Sequence, residues 1–408
     1  MDKDKSIKDF LPVILGTDIN TYSMCASFHE EYGIKPIVIG KTSFSFTKYT
    51  TIIQKLYLND ELRDSDEFVH FMIEVAKKEK LKAKKLILVG TNDFYVKLII
   101  KNRTKLEKYY EFNYIKEDLF KTLYSKKNFY KLCKEYNIDI PTTYFYSALS
   151  DKKFNEDINF PVILKPSSGI EYYNNPFENM QKIYRLNSHE EINNIIDIIK
   201  KSGYKSDIII QDYIPGDDTY MWDSVYYGNK HGKGQLVTFA QVVLQEHTKT
   251  AIGNYTALIV RHNREFMEKL VHFMEAIGYV GFGNFDIKYD YRDQKFKLFE
   301  VNIRQGRSSY YTTQCGHNMA RYFVDDLIYN KSKEITYLDD EFLFTVVPKI
   351  VLRRFVENPK IKKEVNQLIK KGKFGNPLFY KNDKSIKRKL YMFLRQVNYY
   401  KKYSDNKW

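Results

Sequence analysis

Strand-like and helix-like patterns alternate in the first hundred residues of the chain. Segment 12-40 has a short apolar run, a helix-compatible stretch and a second apolar run, and segment 64-100 has a helix, an apolar run and a further helix. Such alternation predicts a parallel sheet covered by helices, that is, an α/β fold. The turns Gly16-Thr17-Asp18 and Gly90-Thr91-Asn92 then lie at the carboxyl edge of the sheet, where ligands bind, although helix capping alone would explain both turns.

From about Lys126 the pattern becomes richer in strands. In chain order it predicts a helix at 127-136, a strand at 160-166, a polar loop to 180, a strand at 207-216, and β-strands from 235 to 305 with one helix at 263-277. Neither an internal repeat nor a low-complexity linker divides the 408 residues. At roughly 100–200 residues per domain, this length predicts two or three domains.

Composition narrows the class of protein. Hydrophobic residues make up 43% of the chain, enough for packed cores, but no apolar run approaches the roughly 20 residues that span a bilayer. The first ten residues, MDKDKSIKDF, lack the apolar segment of a secretory signal. Three cysteines, Cys25, Cys133 and Cys315, are far apart and odd in number, as expected in a reducing compartment. These features predict a cytoplasmic protein.

The net charge of +15 is concentrated at one end of the chain. Residues 351-408 hold seventeen Lys or Arg against four Asp or Glu, a net charge of +13, so the first 350 residues are nearly neutral. Nucleic acid is not expected as a partner, because no recognised RNA-binding or DNA-binding module accompanies the charge.

A helix at 385-403 would place apolar side chains along one side. These are Ile386, Leu390, Phe393, Leu394, Val397 and Tyr400. The remainder of that helix would be lined by Lys387, Arg388, Lys389, Arg395 and Lys402. The pattern fits peripheral contact with a membrane surface, and equally a helix whose apolar stripe packs on the protein core while its lysines are solvated.

Two strand ends carry polar residues suited to a nucleotide. Lys165 ends the strand 160-166 directly before Ser167-Ser168-Gly169, where a fixed charge and backbone N–H groups could hold phosphate oxygens. The strand 207-216 runs into a Pro-Gly turn and two carboxylates, which could offer backbone groups to a base and a carboxylate to a ribose. Taken singly, a solvated lysine and an ordinary acidic turn would explain both segments.

A third group comprises Asp286, Glu300 and Asn302, in two strands of alternating pattern. Alternation places Glu300 and Asn302 on the same face of one strand, with Asp286 on the strand before it. Two carboxylates and an amide oxygen are ligands that suit Mg²⁺, and two such ions would bridge nucleotide phosphates. A solvated strand face is the plain alternative, but Glu300 stands between Phe299 and Val301 in a run that looks buried.

The order and spacing of these groups over residues 120-325 resemble the ATP-grasp family of ligases. The resemblance implies that ATP is bound by two lysines, a small-residue loop, a hinge and a ribose-binding acid, namely Lys126, Lys165, Ser167, Ser168, Gly169, Gln211, Asp212, Tyr213, Ile214 and Asp218. It also implies that Asp286, Glu300 and Asn302 bind Mg²⁺, with two ions expected.

The chain departs from the family pattern at two positions. Gln211 stands in place of the usual hinge glutamate, and Asn284 stands where the family often has an arginine for the transferred phosphoryl group. Arg304 or Arg307 is expected to supply that charge, and both are assigned to catalysis together with Lys165.

A closer resemblance is carried by residues 12-40, residues 281-311 and the basic tail. These segments are similar to the D-aspartate ligases of Gram-positive cell-wall synthesis. The similarity implies that ATP activates the β-carboxylate of D-aspartate as an acyl phosphate, which then acylates the stem-peptide lysine ε-amine of a peptidoglycan precursor. It also implies an acyl-substrate site near Arg304, Arg307, Ser308 and Ser309, since a dicarboxylate needs a guanidinium partner.

The same resemblance implies a division of the chain. Residues 1-121 would form a parallel α/β domain of the pre-ATP-grasp kind, and residues 122-350 a two-lobed α+β ATP-grasp domain with its lid lobe at about 141-212. Residues 351-408 would form a basic helical tail.

Two other functions fit part of the pattern. An ATP-grasp ligase that makes a free dipeptide or a secondary metabolite would act on small free amines. A non-catalytic basic membrane adaptor would explain the charged tail, but it would not require Lys165, Asp286, Glu300 and Asn302 together.

Overall fold

The computed structural model describes residues 8–62, 65–248, 251 and 253–406. Within these residues the strands are β1 (Lys8–Leu15), β2 (Ile37–Gly40), β3 (Lys55–Leu58), β4 (Ala83–Gly90), β5 (Thr143–Ser147), β6 (Val162–Pro166), β7 (Tyr184–Leu186), β8 (Asp207–Asp212), β9 (Met221–Gly228), β10 (Gly234–Val237), β11 (Phe239–Gln245), β12 (Tyr255–Arg261), β13 (Gly281–Asp290), β14 (Lys295–Asn302), β15 (Thr336–Tyr337), β16 (Leu343–Thr345) and β17 (Phe374–Gly375).

The α-helices lie between and after these strands. They are α1 (Ile19–Tyr32), α2 (Ser65–Glu79), α3 (Asp93–Lys101), α4 (Arg103–Leu106), α5 (Glu117–Tyr124), α6 (Lys126–Glu135), α7 (Gly169–Asn174), α8 (His189–Lys201), α9 (Arg264–Ala276), α10 (Tyr310–Gln314), α11 (Met319–Leu327), α12 (Lys349–Phe355), α13 (Pro359–Lys370) and α14 (Ile386–Asp405). No helix in the described part of the chain is long and apolar enough to cross a membrane.

The N-terminal sheet is parallel, with strand order β3-β2-β1-β4. Its central strand β1 is buried from its third residue onward, which explains the continuous apolar run. At its carboxyl edge Asp18 and Asn92 cap α1 and α3 by accepting the backbone N–H groups of Thr21 and Tyr95. The predicted α/β fold is therefore confirmed, and both turns act as helix caps.

A smaller antiparallel sheet has strand order β5-β8-β6-β7. Helix α8 supplies Ile192, Ile196 and Ile199 to the core beside it, at the spacing of one helix face. In its register Gln211 lies opposite Ile163, two positions before Lys165. The stretch 167-180 was expected to be a polar loop, but it contains α7, which begins after the capping Ser168.

The largest sheet follows the order β14-β13-β9-β11-β12-β16-β17, with β10 pairing to β9 and β15 outside that path. Strands β13 and β14 form an antiparallel hairpin in which Asp286 lies opposite Glu300 and Asn284 opposite Asn302. Strand β9 lies on the other side of β13 and places Asp223 opposite Asp286. Three acidic residues are thereby brought to adjacent strands of one sheet.

Helix α14 packs on the rest of the protein, but not through its apolar stripe. Its buried side chains are Arg388, Met392, Gln396, Tyr399 and Tyr403. Of the two alternatives for the apolar stripe, packing on the core is wrong, because five of its six members are exposed and only Tyr400 is half-buried. Arg388, one of the basic residues expected on the other side of the helix, is buried, since its side chain is 1% exposed.

Arg388 fastens α14 to the N-terminal part of the chain. Its guanidinium donates to the backbone oxygens of Phe46 at 3.0 Å and Leu378 at 2.8 Å, and lies 3.5 Å from the ring centroid of Tyr22. Asp383 lies 3.5 Å from the same guanidinium and accepts the Tyr22 hydroxyl at 3.0 Å. Burial opposes ionisation of Asp383, but hydrogen bonds and Arg388 hold its pKa below the usual value.

Replacing Arg388 is expected to destabilise the fold strongly. Arg388→Met leaves Asp383 buried without its cation, a loss of roughly 3 kcal/mol, whereas Lys389→Met on the exposed side should change stability by less than about 0.5 kcal/mol. Urea unfolding followed by tryptophan fluorescence would compare the midpoints of the two variants. Equal midpoints would contradict the structural role of Arg388.

Candidate nucleotide and metal site

The β13–β14 hairpin brings the predicted metal-binding residues together. The Asn302 amide donates to Asp286 at 3.3 Å, and Lys126, the first residue of α6, places its Nζ 2.5 Å from a Glu300 oxygen. Burial and the neighbouring Glu300 raise the pKa of Asp286 well above its usual value, while Lys126 lowers the pKa of Glu300. Two neighbouring carboxylates, of which only Glu300 contacts a lysine, form a site where an added cation would relieve repulsion.

The donor set fits Mg²⁺ bound jointly by protein and phosphate. In the described part of the chain no three His, Cys, Asp or Glu residues are grouped so as to hold a metal by themselves. The pair Asp286 and Glu300 with Asn302 supplies hard oxygen ligands but leaves coordination positions to be filled. Mg²⁺ commonly completes such sites with phosphate oxygens and water.

A third acid, Asp223, was missed by the sequence analysis. It is fully buried on β9 and accepts hydrogen bonds from Asn284 at 2.7 Å, the Tyr311 hydroxyl at 3.1 Å and Ser308 at 3.4 Å. Burial raises the pKa of Asp223 to about 6. The contact explains what Asn284 does where an arginine was expected, because its amide orients this acid. An aspartate inside the apolar run of β9 was the signal that could have revealed it.

Lys165 and Gln211 meet on the small sheet. The Lys165 ammonium donates to Gln211 Oε1 at 2.9 Å, and the Gln211 amide nitrogen donates to the hydroxyls of Tyr130 at 3.0 Å and Thr143 at 2.8 Å. Burial, reinforced by the nearby charge of Lys126, lowers the pKa of Lys165 to about 7. A glutamate at position 211 would give Lys165 a counter-charge, whereas Gln211 accepts its hydrogen bond without adding one.

The small-residue loop is already partly engaged within the protein. Backbone N–H groups of Ser167 and Ser168 donate to the Asp207 carbonyl and the Tyr204 hydroxyl, each at 3.0 Å. The Cβ direction of Gly169 points into open space. The expected phosphate contacts by backbone N–H groups therefore stay a prediction, and those of Ser167 and Ser168 would require a rearrangement of the loop.

The expected hinge and ribose-binding residues continue from β8. Asp212 forms an ion pair with Arg292 at 2.5 Å, and Ile214 is buried. The guanidinium of Arg185 lies over the Tyr213 ring, 4.2 Å from the ring centroid. Asp218 accepts from the Gln245 amide at 2.7 Å and lies 3.1 Å from His247 Nε2. Sequence patterns did not indicate Gln245 or His247, because they lie at the end of β11, remote in sequence from Asp218.

Arg304 and Arg307 have different surroundings. Arg304 donates to both carboxylate oxygens of Asp93, at 2.9 and 3.2 Å, and to the side-chain amide oxygen of Asn302 at 3.3 Å. Arg307 has one acidic neighbour in the described residues, Glu246, at 3.7 Å. Arg304 thus links the segment after β14 to the first residue of α3, whereas Arg307 is less constrained.

The two serines after Arg307 are directed into the protein. The Ser308 hydroxyl donates to Asp223, and the Ser309 hydroxyl accepts the Gly306 N–H at 2.6 Å. Ser308 is 3% exposed and Ser309 fully buried. In this structure they hold the turn after β14, and their expected contact with an acyl substrate stays a prediction.

The residues of the site are connected across strands. Gln245 at the end of β11 lies opposite Tyr255 on β12, and the Tyr255 hydroxyl hydrogen-bonds Asp286. The strand pairing therefore places the expected ribose acid Asp218, held by Gln245, near the predicted metal-binding pair. On the other side, Lys126 contacts Glu300 and also lies close enough to Lys165 for its charge to lower the pKa of that lysine. The arrangement can hold a polyanion between the two lysines and a cation bound to the carboxylates.

Comparisons with known proteins agree with this arrangement. The chain is 35% identical over 409 residues to a D-aspartate ligase of Enterococcus faecium, with 97% of each chain covered. No model of a protein family matches the chain.

Solved structures share the fold at low identity. An L-amino acid ligase from Bacillus licheniformis superimposes with a TM-score of 0.55 at 12% identity, covering 79% of this chain and 75% of the other. The ADP complex of purK, an N5-carboxyaminoimidazole ribonucleotide synthetase, gives 0.56 at 13% identity, covering 83% and 81%. The expected ATP-grasp fold is confirmed by these likenesses.

The low pKa of Lys165 predicts proton uptake when a nucleotide binds. With a pKa of about 7, Lys165 is mostly neutral at pH 8, and phosphate oxygens would restore its charge, so Lys165 should contribute an uptake of roughly one proton to MgADP binding at that pH. Calorimetry in buffers of different ionisation enthalpy measures the uptake. It should vanish in Lys165→Met and persist in Lys127→Met, which alters an exposed neighbour of Lys126. Equal uptake by both variants would contradict the assignment.

Proposed function

The chain belongs to the D-aspartate ligase family, and we propose that it joins the β-carboxylate of D-aspartate to the lysine ε-amine of a peptidoglycan precursor, using ATP and two Mg²⁺ ions. It is an ATP-dependent ligase that forms a C–N bond. Family membership thus favours an enzyme over the non-catalytic adaptor. The observation that carries the proposal is the cluster in which Asp286 faces Glu300 while Lys126 contacts Glu300.

The first chemical step is phosphoryl transfer. A β-carboxylate oxygen of D-aspartate attacks the γ-phosphorus of ATP, the bond to the β-phosphate oxygen breaks, and ADP leaves with that electron pair. Asp286, Glu300 and Asn302 would hold Mg²⁺, which neutralises phosphate charge when bound. Lys126 on α6 and Lys165 on β6 of the small sheet would hold the phosphates, and Asp218 would hold the ribose.

The second step is acyl transfer. The neutral acceptor amine attacks the carbonyl carbon of the acyl phosphate, inorganic phosphate leaves with the electrons of the broken C–O bond, and the nitrogen loses a proton. Arg307 is better placed than Arg304 to contact the substrate. The guanidinium of Arg304 is already committed to Asp93, Asn302 and the Gln305 carbonyl, whereas Arg307 is 32% exposed and weakly paired.

The proposed acceptor also indicates where in the cell the enzyme acts. Peptidoglycan precursors are made in the cytoplasm and become lipid-linked at the inner leaflet of the membrane. We therefore assign the enzyme to the cytoplasm, in peripheral contact with that leaflet.

Removing the Glu300 carboxylate should abolish turnover without unfolding the protein. Glu300→Ala is expected to lower kcat for ADP formation at least about 100-fold, or roughly 2.7 kcal/mol in barrier, because Mg²⁺ loses a ligand. Asp293→Ala is the matched control, since Asp293 lies in the turn of the same hairpin and pairs with Lys297 away from the site. Lys165→Ala should mainly raise KM for ATP. Glu300→Ala activity within about tenfold of the parent would refute the metal assignment.

An acyl phosphate should be trappable before the amine is added. Enzyme incubated with ATP, Mg²⁺, D-aspartate and hydroxylamine, but no peptide acceptor, should accumulate aspartyl hydroxamate, since hydroxylamine attacks the activated carbonyl. L-aspartate and a panel of other amino acids serve as controls. Hydroxamate formed with another acid and none with D-aspartate would exclude the proposed substrate and favour a ligase of free dipeptides or secondary metabolites.

A further inference from the structure

Helix α14 turns its large apolar side chains towards solvent. The α14 stripe consists of Ile386 (83% exposed), Leu390 (58%), Phe393 (59%), Leu394 (55%) and Val397 (58%). Their spacing places all five on one side of the helix, so that they form a continuous strip instead of scattered surface residues. A contiguous apolar patch of this kind marks a surface that another body covers.

The opposite side of α14 is fixed to the protein by buried polar contacts. Arg388 holds its N-terminal part, the Gln396 amide donates to the Val346 carbonyl at 2.9 Å, and the Tyr403 hydroxyl donates to the Gln245 carbonyl at 2.7 Å. Turning the α14 stripe inward would break all of these bonds and leave buried polar groups unpaired. The outward orientation of the stripe is therefore built into the fold.

Basic and aromatic side chains border the α14 stripe. Lys384, Lys387, Lys389 and Lys401 are exposed along it. Tyr391 stacks on Tyr49 from the N-terminal part of the chain, with ring centroids 5.2 Å apart, and Lys387 lies 4.2 Å from the Tyr49 ring centroid. An apolar strip bordered by lysines and tyrosines has the chemistry of a helix that lies in the headgroup region of a bilayer.

We infer that the α14 stripe is the surface through which this chain binds an anionic lipid bilayer. The five apolar side chains would enter the boundary between headgroups and acyl chains, and the bordering lysines would contact lipid phosphates. This inference locates the peripheral contact of the proposed function, but it does not depend on the ligase reaction.

Charge favours a bilayer over a second copy of the chain. Two copies meeting through the α14 stripe would bring two lysine borders together, within a segment whose net charge is +13. Like charges facing each other oppose such association, whereas anionic lipid attracts each lysine. The basic border therefore complements lipid phosphate and not itself.

Vesicle flotation of the full chain tests the inference. The probes are vesicles of phosphatidylcholine alone and vesicles containing phosphatidylglycerol. One variant carries Leu390→Ser, Phe393→Ser and Val397→Ser, and its matched control carries Leu58→Ser, Leu81→Ser and Leu149→Ser at exposed sites outside α14. A charge variant carries Lys384→Gln, Lys387→Gln and Lys389→Gln, and its control carries Lys77→Gln, Lys78→Gln and Lys80→Gln, also exposed.

The full chain should bind anionic vesicles, and 0.5 M salt should weaken that binding. The α14 serine variant should lose at least about tenfold in partitioning and the charge variant a similar amount, while both controls bind like the parent. Circular dichroism checks that the variants are folded. ADP formation from soluble substrates is measured separately, so that a failure of the ligase assignment can be distinguished from a failure of membrane binding. Equal binding by the parent and the α14 serine variant, or no binding by the parent at low salt, would overturn the inference. The inference would also be overturned if the parent formed a dimer that the α14 serine substitutions abolish and did not bind vesicles.

Discussion

The register of the β13–β14 hairpin is the constraint on which the candidate site depends. Because Asp286 lies opposite Glu300, their carboxylates share one face of the sheet, and the same register sets Asn284 opposite Asn302. Side chains alternate between faces with a period of two, so a slip of one residue would send half of this set to the other side. Neighbouring β9 fixes the hairpin from the other edge and adds the buried Asp223 to the cluster.

This register collects more negative charge than the sheet alone can accommodate. Lys126 partly neutralises Glu300, and the Asn284 amide with the hydroxyls of Tyr311 and Ser308 stabilises Asp223. Asp286 receives weaker support, from Asn302 and Tyr255, and its pKa is raised well above the usual value. The fold thus places an electrostatic cost at one position that a bound cation would relieve, which favours the predicted metal site over a solvated strand face.

Sequence patterns predicted the parts of the molecule that depend on local spacing. Alternation in 12-40 and 64-100 correctly predicted the parallel sheet, and period two placed Glu300 and Asn302 together, as observed. Contacts between distant segments escaped prediction: Asp223 is 63 residues from Asp286, and Asn20 donates to the Gln305 carbonyl across 285 residues. Which face of α14 is buried could not be predicted either, because helical spacing defines two faces without indicating which one packs on the core.

The C-terminal helix also contributes a charge close to the candidate site. Glu246 is 3% exposed and lies between two cations, Arg307 and Lys402, the second of which belongs to α14. A buried carboxylate with one close cation needs the second less. Lys402 makes the shorter contact with Glu246, so the guanidinium of Arg307 is only loosely paired and can contact a ligand. Residues 351-408 therefore do more than carry positive charge: one of their lysines determines how free a candidate substrate-binding arginine is.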